Sequence, residues 1–165
     1  MKKALSSLIT LLMLQGCVGY VGGDLEDVVV DTYLDQCRYT PTYYEMKVYT
    51  DAKNDYGDES ISGMISTYTL GLFPTYWLTE VRSKVTIEGE GKAIYAREDV
   101  SRIHTFYGFL WLLFLSDDSV NALRADEGSG LRVIEGIQDR AVAKTLNEMP
   151  DSIDINELCV TYLDL

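Results

Sequence analysis

The sequence predicts an α+β fold: an antiparallel β-sheet of about four strands with a C-terminal amphipathic helix, preceded by a cleaved signal peptide. Three observations predict it. Val81, Val85 and Ile87 alternate with Arg82, Lys84 and Glu88, and after Glu88-Gly89-Glu90-Gly91 residues 92–97 return, as in a half-buried hairpin. Ile134, Ile137, Ala141, Val142, Thr145, Leu146 and Met149 keep three-to-four spacing until Pro150, which predicts a helix over 131–149. Residues 1–16 join Lys2 and Lys3 to an apolar run broken only by Ser6, Ser7 and Thr10. That run is a secretory signal, too short for a bilayer core of about 30 Å.

The signal ends Leu14-Gln15-Gly16-Cys17, which resembles the lipobox of bacterial lipoprotein precursors. The resemblance implies that Cys17 is diacylglycerylated, the signal removed and the new amino terminus acylated. Stable anchoring needs at least two acyl chains, and a diacylglyceryl cysteine supplies two. In that family an Asp after the cysteine favours inner-membrane retention. Val18 stands there, so the expected place is the bacterial outer membrane, facing the periplasm. The alternatives are a plain signal with an incidental Cys17 and an uncleaved apolar start.

Residues 17–23 contain three glycines and read as a flexible tether. Its reach past Cys17 is only about 20 Å at ~3.5 Å per residue, so the domain sits close to the membrane. Residues 24–165 form one domain.

The chain has 26 acidic and 14 basic residues. Losing Lys2 and Lys3 with the signal takes its net charge from −12 to −14. No binding to nucleic acid through overall charge is expected. The charge is uneven: residues 24–59 carry ten acids and three bases, 60–116 five of each, and 117–165 eleven acids and four bases. The neutral middle is either the core sheet or a surface facing the membrane or a partner.

If Cys17 carries lipid, Cys37 and Cys159 remain. In an oxidising compartment such an even pair reads as a disulfide, the alternative being two buried thiols.

Residues 25–37 fit two periods. Asp24, Asp27, Asp31 and Asp35 share a helical face, while Val28, Val30, Thr32 and Leu34 alternate as a strand. Residues 43–50 read as a strand and 51–60 as a polar loop. Asp51, Asp55 and Asp58 invite a calcium reading, but Lys53 and Tyr56 occupy positions an EF-hand gives to a ligand and a glycine. Residues 60–79 carry no charge, yet their hydroxyls and Pro74 favour a strand and bend over a membrane span. Residues 69–77 are similar to a segment of small envelope lipoproteins of unassigned activity, and that resemblance implies no chemistry.

Residues 105–116 hold Phe106, Phe109, Trp111 and Phe114 in twelve uncharged positions. The run is either core or a segment touching the membrane surface, where Trp and Tyr are favoured. Residues 153–165 again fit two periods: Asp154 and Glu157 suggest a capping box, and 158–163 have strand chemistry.

His104 is the only histidine, which leaves little for a zinc site or a Ser-His-Asp triad. No catalytic, metal or cofactor motif is visible, and no cofactor is expected. The functional expectation is a lipid-anchored, non-enzymatic envelope protein. Its partners would be the membrane, through lipidated Cys17, and another envelope component, with contact through Phe106, Phe109, Trp111 and Phe114. The alternative is a peptidoglycan-directed hydrolase or glycan-binding module. That would need two carboxylates about 5–9.5 Å apart in a cleft, and exposed aromatics.

Overall fold

The computed structural model describes residues 17–54, 68, 75–107, 120–123 and 131–163. In chain order they form β1 (Cys17–Gly23), β2 (Tyr44–Asn54), β3 (Thr75–Gly89), β4 (Lys92–Tyr107), β5 (Ala122–Leu123), helix α1 (Leu131–Glu148), a 3-10 turn (Ile155–Glu157) and β6 (Leu158–Leu163). The sheet order is β5-β1-β4-β3-β2-β6. All pairings are antiparallel except β2 with β6.

This corrects the expected fold class. Among the described residues the sheet is mixed, has six strands rather than about four, and curls into a half-barrel with helix α1. Nor is the helix C-terminal: β6 follows it and lies parallel to β2, placing Val160 beside Met46.

The β3–β4 hairpin organises the sheet. Glu90 and Gly91 take φ of 53° and 74° between the paired Gly89 and Lys92. Two left-handed residues make the turn whose twist matches that of the strands. The ladder then runs, past a register shift that skips Ile94, to Thr75 opposite Tyr107.

Alternation gives the sheet a covered and an open face. Met46, Val48, Val81, Val85, Ile87, Ile103 and Val160 are buried on the covered face, under Ile137, Ala141 and Val142 of α1. Each large apolar side chain so buried stabilises the fold by about 1.5–3 kcal/mol. Thr145 fits the same layer because its hydroxyl donates to the Ala141 carbonyl at 2.7 Å.

Charge is buried there too. Asp99 is 1% exposed and receives Arg97 through Nε at 2.6 Å and Nη2 at 2.8 Å, and Lys144 Nζ at 3.1 Å. Glu148 completes the group by pairing with Arg97. The bond to Asp99 raises the Arg97 pKa against the opposing effect of burial.

The tether expected at residues 17–23 is strand β1, paired along its whole length with β4. Its glycines serve close approach. A Cβ at Gly19 would meet Leu123 at 3.0 Å, and one at Gly23, where φ is +87°, would meet the Val100 carbonyl at 2.8 Å.

Residues 25–37 are neither helix nor strand. A turn, with Asp27 at φ 59°, leads to an extended segment and a single bridge from Gln36 to Val160. Tertiary bonds decide this: Asp27 and Asn121 exchange side-chain and backbone bonds at 2.7 and 2.9 Å, and Arg140 donates to the Val28 carbonyl at 3.3 Å. At the C-terminus both local signals are used in turn. Asp154 accepts from the Asn156 amide at 2.9 Å and caps the 3-10 turn, and β6 follows.

Candidate membrane-facing site

Register places the site. Cys17 pairs with Tyr107, which pairs with Thr75, so the starts of β1 and β3 and the end of β4 lie together at one end of the sheet. Beyond Tyr107 the sequence continues into the apolar run 108–115, and before Thr75 lies the uncharged stretch 60–74. Both uncharged runs therefore join the fold beside Cys17.

The open face at this end is aromatic. One rung carries Val18, Phe106 and Tyr76, and two residues further another carries Tyr20, His104 and Leu78. Tyr76 Oη and His104 Nδ1 share a hydrogen bond of 2.7 Å with their rings nearly stacked. Phe106 meets Tyr20 edge-on at 6.1 Å and Tyr76 at 5.2 Å. Tyr20, Tyr76, His104 and Phe106 all remain partly exposed.

Charge is graded along the strands. None of residues 17–21, 75–79 and 103–107, which make up the five rungs from Cys17 to Val21, is acidic, although the chain has 26 acids. The opposite end, at the β3–β4 turn, holds Glu88 and Glu90. There Tyr43 donates to Glu90 at 2.8 Å, which raises its pKa, and Lys47 donates to Glu88 at 2.7 Å, which raises the lysine's.

Between the two ends a groove of about 290 Å³ is lined by Asp51, Lys53, Glu80 and Arg82. Register sets Asp51 against Arg82 and Glu80 against Lys53, and Arg82 also reaches Glu80 at 3.2 Å. These opposite charges form a surface ladder, whereas a glycosidase acid is a carboxyl kept protonated by burial.

Cys37 and Cys159 are joined in a disulfide, Cα to Cα 4.9 Å, at the β6 edge of the sheet. The bond and the Gln36–Val160 bridge tie the extended segment to β6. Of the expected contact residues, Phe106 lies on the aromatic rung, and Phe109, Trp111 and Phe114 fall outside the described residues. So do Asp55 and Asp58 of the polar loop, while Asp51 sits on β2. Among the described residues no group of three or more His, Cys, Asp or Glu side chains could hold a metal ion, and no helix is long and apolar enough to cross a membrane.

Tyr20 and Tyr76 are site residues that the sequence reading missed. For Tyr76 a signal was present: Tyr76, Leu78 and Glu80, opposite Phe106, His104 and Arg102, continue the hairpin's period of two. For Tyr20 the three glycines of β1 hid it. No family model, curated protein or solved structure matches the chain.

Proposed function

We propose that the protein is a lipid-anchored component of the bacterial cell envelope. It is modified at Cys17, resides at the outer membrane facing the periplasm, and acts by contact with the membrane or an envelope partner rather than by catalysis. The observation that carries this reading is the register of Cys17 with Tyr107 and Thr75, because it sets the lipobox cysteine level with the two residues that adjoin the uncharged runs in sequence. The acidic β3–β4 turn then points away from a membrane surface that would repel it.

Metabolic labelling with a clickable palmitate tests the anchor. The wild-type chain should be labelled and fractionate with the outer membrane, and Cys17→Ser should be unlabelled and soluble. An unlabelled wild type sinks the proposal. Co-sedimentation of the Cys17→Ser form with isolated peptidoglycan tests the glycan-binding alternative in the same preparation.

A further inference from the structure

We infer that the aromatic end of the open face is a phospholipid-contact surface, with Tyr20, Tyr76 and Phe106 at headgroup depth and β1, β3 and β4 standing up from the bilayer. The inference rests on the lipid anchor at Cys17 and adds to it the pose of the domain and the side chains that touch lipid.

Distance is the first argument. A strand rises about 3.4 Å per residue, so the Phe106–Tyr76 rung lies one residue, ~3 Å, from the level of Cys17, and the Tyr20–His104 rung about 10 Å. Interfacial side chains penetrate the headgroup and acyl boundary by roughly 5–10 Å. The first rung with fixed charges, Gly22–Arg102–Glu80, lies five residues or about 17 Å away, clear of that layer.

The chemistry agrees with the distance. Tyrosine places an apolar ring and a polar hydroxyl across the interface, which is why it concentrates there. The hydrogen bond between Tyr76 and His104 satisfies a polar group on each. Charge gives a third argument. With residues 1–16 removed the chain has a net charge of −14 and is repelled by an anionic leaflet except where it lacks acids, and the rungs from Cys17 to Val21 have none.

The anchor makes such contact inexpensive in entropy, since tethering keeps the surface at high local concentration. With β1 built into the sheet from Cys17 onward, the patch cannot be carried away on a slack linker.

The test is hydroxyl-radical footprinting of the lipidated full chain on vesicles of phosphatidylethanolamine and phosphatidylglycerol. The Cys17→Ser form with the same vesicles is the reference. Oxidation of Tyr20 and Tyr76 should slow several-fold relative to the reference, because rings at the interface are withdrawn from water. Tyr39 and Tyr43, which are 69% and 54% exposed, should be unchanged. Phe106→Glu and Leu78→Glu should each remove the protection while palmitate labelling persists.

A labelled, vesicle-bound protein whose Tyr20 and Tyr76 oxidise at the reference rate overturns the surface and leaves the anchor standing. Equal protection of Tyr43 overturns it too, by showing the domain lying flat. Absence of palmitate label fails the anchor itself. If either Glu variant loses its fold by circular dichroism, the other decides.

Discussion

Lys144 Nζ donates to Asp99 Oδ1 at 3.1 Å, fastening α1 to β4 through a carboxylate that is 1% exposed. The same lysine donates to the Asp24 carbonyl at 2.5 Å, so one cation joins helix, sheet and the turn after β1. Removing one partner of a buried pair leaves the other charge stranded, at a cost of about 3–5 kcal/mol. Asp99→Asn should therefore lower the urea midpoint far more than Glu98→Gln on the exposed neighbour. The Asp99→Asn, Lys144→Met double variant should recover part of the loss, because it withdraws the stranded ammonium. Chemical denaturation of the four proteins completes the comparison.

Tyr162 gives an alkaline signature. Burial, and then the charge and hydrogen bond of Asp139 at 2.9 Å, raise its pKa above the ordinary value near 10. The neutral phenol is thus favoured in the fold. Below pH 10 both states hold the proton and the stabilisation is complete. Above it the unfolded chain releases the proton first, and stability falls with rising pH by up to about 1.4 kcal/mol per unit. Tyr162→Phe should cost about 1–2 kcal/mol at neutral pH through the lost bond. It should also flatten the decline between pH 10 and 12, whereas Tyr43→Phe should leave most of it.

The hydroxyls of Thr50 and Ser83 oppose each other across β2 and β3, buried without a hydrogen-bond partner among the described residues. An unsatisfied buried hydroxyl costs about 1–3 kcal/mol. Thr50→Val should raise stability by about 1 kcal/mol in thermal or urea melts. Ser101→Ala, two positions from Asp99 on β4, should do the reverse, because Ser101 Oγ accepts the Leu25 amide at 3.2 Å.

Closing 122 residues of chain, the Cys37–Cys159 bond should contribute about 4–5 kcal/mol by restricting the unfolded ensemble. A Cys37→Ser, Cys159→Ser protein should show that loss in denaturant with an otherwise native circular dichroism spectrum. Alkylation without reductant should add no mass at either position.

The hairpin and helix were legible because their signals are local: two left-handed turn residues, a period of two, a period of 3.6 and a stopping proline. The cysteine pair was legible through counting. What stayed hidden depends on contacts distant in sequence. β1 looks like a linker until Leu123, more than a hundred residues on, is seen to need the space over Gly19. Residues 25–37 carry two competing periods, and Asn121 and Arg140 override both. β6 reads as a strand by chemistry, but nothing local says that it lies parallel to β2 and supplies the sixth strand. The aromatic end is harder still. Its rings come from three strands, and only register shows that they meet beside Cys17.

β1 lies between β4 and β5, hydrogen-bonded to both, and it includes Cys17. On the proposed anchoring this imposes a sequence of events on biogenesis. An enzyme that must grip the residues around Cys17 competes with β4 for their backbone once β1 is paired. Acyl transfer and signal removal are then favoured before β1 pairs, with closure of the sheet following at the membrane.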